Sequence, residues 1–369
     1  MASRKNIGII GIRGYKVVYS GYETFVVNLI EKSSLGDFYH IFSRSLYKNK
    51  SDKGKNFKEY LLSTIKNKYL ETPFYALTAT LKSMSLPIDV VLYLSVANTP
   101  FIWFQKLKNR RVVVNVDGLD WKRKRWSFWG KIYLMLCERI CLLFADVLIA
   151  DSKYVFDYYK KNYPKKNITH ITYGANIKKR NSIEFLPKYK LNKYQYFLFV
   201  GRLTPENKVE DLLNAFFEID TKYKCVIVGD SFFEDKYKNF LKNLAKKDHR
   251  IIFTGTLKGK AYEEILSNAF CYVETKSVGG VHPSLLEAME IGNGIIARNS
   301  PEHVEALANT GMYFQDGNSV ESLRCQMERV LKDKHLVYMF GKLSKKRVNK
   351  YFTWKKVVRK YQDLFQFSA

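Results

Sequence analysis

Short apolar segments alternate with amphipathic segments along most of the chain, and this alternation constrains the fold more than any other feature. In the N-terminal half, segments with the length and composition of strands lie at 7–12, 38–43, 59–65, 88–94 and 111–116. Strands that alternate with helices form parallel sheets joined by right-handed crossovers. Because 369 residues exceed the usual size of one core, the pattern predicts an α/β protein with two Rossmann-like domains.

The boundary between the two domains is expected in a polar stretch near the middle of the chain. Residues 177–194 carry six lysine or arginine side chains, which is typical of a linker. The first domain would then cover residues 1–176 and the second residues 195–350. Residues 351–369 contain a predicted amphipathic helix with one broad apolar face.

The net charge of +27 indicates an anionic partner. No nucleic-acid-binding module is recognisable in the sequence, so an anionic membrane surface or a phosphorylated substrate is expected instead. The apolar segment 132–150 is interrupted by Glu138, Arg139 and Asp146, and it therefore predicts a core helix and a strand rather than a membrane span. The five cysteines lack metal-ligand spacing. No secretory leader precedes the first strand, so a cytoplasmic location is predicted.

One stretch combines a strand, a glycine turn and the start of a helix. The apolar run 269–274 is followed by Gly279 and Gly280, which let the backbone turn sharply and approach a ligand closely. Pro283 suits the first turn of the following helix, and Leu285 contributes to its apolar face. Backbone N–H groups and the positive end of a helix dipole converge at such a turn, so the stretch predicts a phosphate site.

Two further strand ends carry polar residues. Gly201 and Arg202 follow the predicted strand 196–200 and precede a helix start, which is again a geometry that suits phosphate. Asp117 and Gly118 follow the strand 111–116. Ligands of open α/β sheets bind at the carboxyl ends of the strands, so Arg202 and Asp117 are candidate site residues.

These segments resemble motifs of retaining GT-B glycosyltransferases of the family-four type, and more narrowly of bacterial polysaccharide rhamnosyltransferases. The likeness lies in V-G-G-x-x-P-S-L-x-E-A-M ahead of and around Glu287, and in G-R-L-x-P-E around Arg202. It continues in D-G-x-x-W-K-R from Asp117 and in G-Y-E-T-F from Gly21. The resemblance covers nearly the whole chain and implies a GT-B fold, in which the donor cleft lies between the two domains and the last helix crosses back to the first.

Three of the departures from the family pattern lie among the predicted donor-binding residues. Gly279 stands where the family has the first of its two glutamates, and His282 stands where the narrower branch usually has asparagine. Asn207 occupies the position of the family's lysine, with Lys208 directly after it.

The resemblance also implies roles for individual residues. It implies catalytic roles for Asp117, Arg202 and Lys208, and acceptor binding by Glu23, Asp117, Lys122 and Arg123. The implied donor-binding set is Gly21, Arg202, Asn207, Lys208, Gly279, Gly280, His282, Pro283, Ser284, Leu285 and Glu287. No metal or other cofactor is expected, because cationic side chains and helix N-termini would stabilise the leaving diphosphate.

The implied reaction moves a sugar from a nucleoside diphosphate to a hydroxyl group. The narrower branch implies dTDP-L-rhamnose as donor and a polyprenyl-diphosphate-linked sugar as acceptor, in the synthesis of a capsule, exopolysaccharide or wall polysaccharide. Three alternatives stay open: another donor such as a UDP-hexose, a GT-B sugar-nucleotide epimerase, and a catalytically weak scaffold subunit.

A cluster of aromatic and basic residues follows Asp117. Aromatic side chains interleaved with lysine and arginine suit a lipid–water interface, and a lipid-linked acceptor would require work at that surface. The cluster therefore predicts peripheral attachment to the inner face of the plasma membrane through Trp121, Lys122, Arg123, Lys124, Arg125, Trp126 and Trp129.

Overall fold

The computed structural model describes residues 4–17, 20–34, 36–67, 69–122, 126–231 and 235–366. These residues divide into two compact units. Unit 1 contains the chain up to Tyr173 and again from Trp354, and unit 2 contains Gly174–Thr353. Arg123, Lys124 and Arg125 of the predicted membrane cluster lie outside the described residues.

Unit 1 is built on a seven-stranded parallel sheet with the order β3-β2-β1-β4-β5-β6-β7. Its strands are β1 (Asn6–Ile10), β2 (Phe38–Arg44), β3 (Phe57–Leu62), β4 (Val90–Leu94), β5 (Arg111–Asp117), β6 (Val147–Ala150) and β7 (Ile168–His170). Its helices are α1 (Gly21–Lys32), α2 (Glu71–Met84), α3 (Trp103–Lys106), α4 (Phe128–Phe144) and α5 (Lys153–Asn162).

Unit 2 contains a six-stranded parallel sheet with the order β10-β9-β8-β11-β12-β13. The strands are β8 (Tyr196–Val200), β9 (Lys224–Val228), β10 (Ile251–Gly255), β11 (Cys271–Glu274), β12 (Gly294–Arg298) and β13 (Met312–Phe314). The helices are α6 (Val209–Phe217), α7 (Asp235–Ala245), α8 (Gly259–Ser267), α9 (Pro283–Ile291), α10 (Pro301–Leu307), α11 (Ser319–Lys332) and α12 (Lys334–Tyr351). Two Rossmann-like parallel-sheet units confirm the predicted fold class.

The last helix of the chain, α13 (Trp354–Gln366), belongs to unit 1. The Tyr361 ring lies 4.6 Å from the Phe25 ring of α1, and its hydroxyl accepts a hydrogen bond from Asn115 Nδ2 at 2.8 Å. Arg111 Nε donates to the Leu364 carbonyl at 3.0 Å. The broad apolar face seen in the sequence is thus the face that covers α1 and the end of β5.

The segment predicted as a linker is an integral part of unit 2. The Glu264 carboxylate on α8 accepts hydrogen bonds from the backbone N–H groups of Phe185 at 2.6 Å and Leu186 at 2.9 Å, and from Ser182 Oγ at 2.6 Å. The lysines of segment 177–194 face solvent, while the buried Glu264 carboxylate, on a helix distant in the chain, fixes the backbone of the segment. Composition alone could not reveal that partner.

Both sheets reverse their direction of growth next to their first strand. In unit 1 the chain proceeds from β1 to β2 and β3, and then crosses to β4 on the other side of β1. In unit 2 it proceeds from β8 to β9 and β10, and then crosses to β11. The loops that leave the two strands at such a reversal diverge and open a crevice, where ligands of open α/β sheets bind.

Candidate active site

The loop after β8 presents Arg202 to solvent at the crevice of unit 2. The Arg202 carbonyl accepts hydrogen bonds from the Thr204 N–H at 3.0 Å and from Asn207 Nδ2 at 2.6 Å. Asn207 is buried, so its amide closes the loop and fixes the backbone of Arg202. Arg202 itself is exposed.

Lys208 lies at the start of α6 in the left-handed region, with φ of 52°. Its ammonium is 3.4 Å from the Glu210 carboxylate and partly exposed. The cation that follows the family's lysine position is therefore already paired with a neighbouring acid, whereas no such acid is seen at Arg202 among the described residues.

The loop after β11 is joined to the loop after β8 by three hydrogen bonds. Thr275 Oγ1 donates to the Asn207 carbonyl at 2.7 Å. The N–H and the hydroxyl of Ser277 both donate to the Glu206 carbonyl, at 3.0 and 2.9 Å. The two loops on either side of the reversal thus form one hydrogen-bonded platform.

Lys276 is a buried cation in the centre of this platform. Its ammonium donates to Glu274 Oε2 at 2.8 Å, to the Val200 carbonyl at 3.0 Å and to Ser284 Oγ at 3.2 Å. One side chain thereby joins the ends of β8 and β11 to the first turn of α9. Sequence reasoning missed it, although a lysine two residues after a buried strand that ends in glutamate was a usable signal.

Gly279 adopts φ of +139°, a conformation that glycine tolerates and other residues rarely adopt. A Cβ atom at this position would lie 2.7 Å from His282 Nε2, which is closer than non-bonded atoms approach. The imidazole of His282 therefore occupies the space into which a side chain at position 279 would extend. This contact links two departures from the family pattern, the glycine at position 279 and the histidine at position 282.

The orientation of His282 is set by a second histidine on α10. His303 is buried, and its Nδ1 lies 2.9 Å from the Arg298 carbonyl, which can only accept, so Nδ1 carries the proton. His303 Nε2 then accepts, and it lies 3.4 Å from His282 Nδ1. Burial lowers the pKa of His303, which keeps the acceptor form of Nε2 at neutral pH.

Among the described residues, one group of side chains is close enough together to hold a metal ion. It consists of Glu274, His282 and His303, whose ligand atoms lie within 4.8 Å of one another. The surrounding charge opposes a cation there, because Glu274 already pairs with the Lys276 ammonium at 2.8 Å. The positive end of α9 adds to this effect. The environment suits an anion better than a divalent metal.

Glu287 lies on α9 one turn beyond Pro283, and it is partly buried. The Tyr262 hydroxyl of α8 donates to Glu287 Oε2 at 2.6 Å. Burial raises the pKa of Glu287 to about 7, although the hydrogen bond from Tyr262 acts in the opposite direction. Other residues of the predicted donor site lie at the start of the same helix. Gly280 precedes α9, Ser284 accepts a hydrogen bond from Lys276, and Leu285 is buried in the core.

We expect replacement of Glu287 by glutamine to change the pH dependence of stability. A carboxyl whose pKa is raised on folding binds more protons in the folded state, so wild type loses stability as pH rises from about 4.5 to about 7. Glutamine keeps an acceptor for Tyr262 but cannot ionise. Thermal unfolding at several pH values should show the Glu287→Gln variant gaining stability relative to wild type across this window. A difference that is constant with pH would contradict the raised pKa.

In unit 1, Asp117 closes β5 in an unusual backbone conformation. It has φ of 60°, and its N–H donates to Asn115 Oδ1 at 2.9 Å. The side chain is partly buried. An aspartate tolerates this conformation better than most residues do, and the turn directs the chain out of the sheet at the carboxyl end of β5.

Glu23 has a structural role within unit 1. It is buried and accepts hydrogen bonds from the Ser20 N–H at 2.8 Å, the Ser20 hydroxyl at 2.6 Å and the Arg13 N–H at 2.9 Å. This is a capping box at the start of α1, with Gly21 as the first helical residue. The carboxylate predicted to bind the acceptor thus fixes the loop after β1.

The predicted membrane cluster divides into inward and outward residues. Trp121 and Trp126 are partly buried and pack against the core of unit 1, and their role as membrane anchors stays a prediction. Trp129 is exposed. Lys122 is also exposed, and its ammonium lies 5.3 Å from the ring centre of Tyr158 and 5.4 Å from that of Trp121.

Comparison with known proteins finds two family models that match parts of this chain. Residues 181–347 match the protein-family model described as Glycosyl transferases group 1. The matched residues lie within unit 2, which is therefore similar to glycosyltransferases of group 1. Residues 4–176 match a second model, described as a domain of unknown function, DUF1972. The segment that matches Glycosyl transferases group 1 contains the whole platform around Lys276, from Arg202 to His303.

Other proteins are similar to larger parts of the chain. The chain is 29% identical over 234 residues to an uncharacterized glycosyltransferase of Methanocaldococcus jannaschii, and the match covers 60% of this chain and 58% of that protein. Sucrose-phosphate synthase from Thermosynechococcus elongatus has a TM-score of 0.82 at 18% identity, with 98% of each chain covered. Anabaena HepE in complex with UDP-glucose has a TM-score of 0.79 at 13% identity, with 98% of this chain and 99% of that chain covered. At these identities the two structures show the GT-B fold alone.

Proposed function

We propose that this protein transfers a sugar from a nucleoside diphosphate to a hydroxyl acceptor, with retention of the anomeric configuration. The observation that carries the proposal is the exposed Arg202 beside the platform that ends at the start of α9. An exposed arginine and a helix N-terminus at a sheet reversal suit a diphosphate. The match to Glycosyl transferases group 1 and the likeness to a structure that holds UDP-glucose support it.

In this proposal Arg202 binds the diphosphate in a bidentate manner and stabilises the charge that develops on the leaving group. The N-terminal end of α9, with Pro283, Ser284 and Leu285, adds a favourable dipole. Glu287 accepts a hydrogen bond from a hydroxyl of the nucleoside sugar. Lys208 acts as a second cation once its pairing with Glu210 is exchanged for phosphate. The departing phosphate oxygen takes the proton of the acceptor hydroxyl.

His282 is proposed to contact the transferred sugar. The His282 ring occupies the space that a side chain at position 279 would need, since a Cβ there would lie 2.7 Å from His282 Nε2. His303 holds the ring from the other side through its Nε2. A donor recognised by an imidazole rather than a carboxylate should differ in its pattern of hydroxyl groups, which fits a branch that uses dTDP-L-rhamnose. A UDP-hexose is the second candidate, because HepE binds UDP-glucose.

The acceptor is proposed to be a polyprenyl-diphosphate-linked sugar presented at the inner face of the plasma membrane. The net charge of +27 supports an anionic surface and a diphosphate-bearing substrate. In unit 1, Asp117 at the end of β5 and the exposed Lys122 are the proposed acceptor contacts. No helix in the described part of the chain is both long enough and apolar enough to cross a bilayer.

A donor panel tests the proposal directly. Purified protein is incubated with dTDP-rhamnose, UDP-glucose, UDP-galactose or GDP-mannose and a synthetic lipid-diphosphate sugar, and the products are identified by mass spectrometry. We expect one donor to add one sugar to the acceptor, with dTDP-rhamnose preferred. Excess EDTA should leave the rate unchanged, because Arg202, Lys208 and the start of α9 supply the positive charge.

Each other outcome points to a different function. A changed nucleotide sugar without any acceptor would identify an epimerase. Nucleotide binding without turnover with any donor would identify a scaffold subunit. A rate abolished by EDTA and restored by zinc would assign a catalytic metal to Glu274, His282 and His303.

A further inference from the structure

Helix α4 is apolar on two opposite faces. Its inner face is buried in the core of unit 1 through Leu134, Cys137 and Cys141. Its outer face carries large apolar side chains exposed to solvent, with exposed fractions of 70% for Phe128, 76% for Trp129 and 75% for Leu143. A helix that is apolar all round is normally buried on every side. The outer face of α4 therefore requires a partner.

The exposed residues form one continuous stripe. Side chains three or four residues apart lie above one another on a helix. This spacing joins six of the seven exposed large apolar residues of α4, namely Phe128, Trp129, Ile132, Met135, Leu136 and Leu143, and the seventh, Phe144, is the last residue of the helix. All residues of α4 are described, and Arg139 is the charged residue within this arc. The 17 residues of α4 make the stripe about 25 Å long at the usual rise per residue.

The neighbouring helix carries further exposed apolar residues. Helix α3 packs against α4. Trp103 of α3 and Leu107, which directly follows this helix, are both exposed large apolar residues. Lys108 follows, and it is exposed as well. An apolar area with aromatic residues and scattered basic residues marks an interaction site rather than an ordinary solvated surface.

We propose that α4 docks in the headgroup region of an anionic bilayer, parallel to its plane, with the outer stripe at the boundary of the acyl chains. Phe, Trp and Leu on the exposed face are typical of helices that lie in a membrane interface. Arg139 can extend its apolar stem along the stripe and place its guanidinium among lipid phosphates. The net charge of +27 complements an anionic leaflet. This proposal rests on the proposed function, since a lipid-linked acceptor is the reason for the protein to bind a membrane surface.

Charge decides against a second copy of the chain as the occupant. A two-fold contact through the stripe would bring two Arg139 side chains close together in an apolar interface, and it would join two chains that each carry +27. Charged residues are depleted from the cores of protein interfaces. Both objections disappear on an anionic lipid surface, where Arg139 and the net positive charge of the chain are attracted to the lipid phosphates.

The test compares two triple variants in vesicle flotation. The stripe variant carries Trp129→Gln, Leu136→Gln and Leu143→Gln. The control variant carries Phe240→Gln, Tyr338→Gln and Leu343→Gln, which are exposed apolar residues of unit 2. Vesicles contain equimolar phosphatidylglycerol and phosphatidylcholine. We expect the stripe variant to lose on the order of 100-fold in partitioning, because three apolar side chains leave the interface, while the control partitions like wild type.

Further measurements keep the outcomes distinct. Both variants should unfold at the wild-type temperature and transfer sugar to a short, water-soluble acceptor analogue at the wild-type rate. Equal flotation of the stripe variant and wild type would overturn the proposal, as would a wild-type dimer in sedimentation that the stripe variant abolishes. If wild type floats through the stripe but transfers no sugar from any donor, the docking surface stands and the proposed function fails.

Discussion

Replacement of Arg202 by alanine is expected to lower the turnover number by about 100-fold or more without unfolding the protein. Removing one preorganised donor from the stabilisation of a developing negative charge costs about two to three orders of magnitude in rate. The Arg202 side chain is exposed, and its backbone is held through its carbonyl by Asn207 Nδ2 at 2.6 Å. Truncation should therefore leave the loop in place.

The measurement is steady-state kinetics with the preferred donor, together with a thermal unfolding curve. Arg329→Ala is the matched control, because Arg329 is an exposed arginine on α11 outside the platform. It should leave both turnover and stability unchanged. Near-normal turnover of the Arg202→Ala variant would remove Arg202 from the chemistry and leave Lys208 as the diphosphate cation.

Replacement of Lys276 by methionine should destabilise unit 2 by about 3–5 kcal/mol, the usual cost of removing one partner of a buried ion pair. Glu274 is fully buried and would lose the ammonium at 2.8 Å. The Val200 carbonyl and the Ser284 hydroxyl would lose a donor at the same time. Chemical denaturation reports the change in the free energy of unfolding.

Two companion variants sharpen this measurement. Lys208→Met removes a partly exposed ammonium that lies 3.4 Å from Glu210, and exposed pairs contribute about 1 kcal/mol or less. Glu274→Gln combined with Lys276→Met removes both charges and should recover part of the loss, since no unpaired charge stays buried. A Lys276→Met variant as stable as Lys208→Met would contradict the central role of Lys276.

The parts of the molecule that local patterns encode were predictable. The two parallel sheets follow from alternating strands and helices, and α9 begins at Pro283 where a proline suits the first turn. The helix at Trp354 was visible from its apolar face. Each of these features depends on residues that are near one another in the chain.

Features that depend on distant partners were not predictable. Lys276, Ser284 and Val200 meet only after β8 and β11 pair in the sheet. The segment 177–194 looked like a linker because its anchor, Glu264, lies on α8. The apolar segment within α4 was assigned to the core, since sequence periodicity cannot show that a helix with two apolar faces buries only one of them.

The contact between position 279 and His282 also constrains how this sequence can evolve. A glutamate at position 279 would need both a side chain where φ is +139° and the space that His282 Nε2 fills. The ring would have to turn away from His303, to which it is joined at 3.4 Å. A mutational path toward the two-glutamate pattern is therefore easier when position 282 changes before position 279. The opposite order passes through an intermediate in which the two side chains collide, so the effect of either substitution depends on the other.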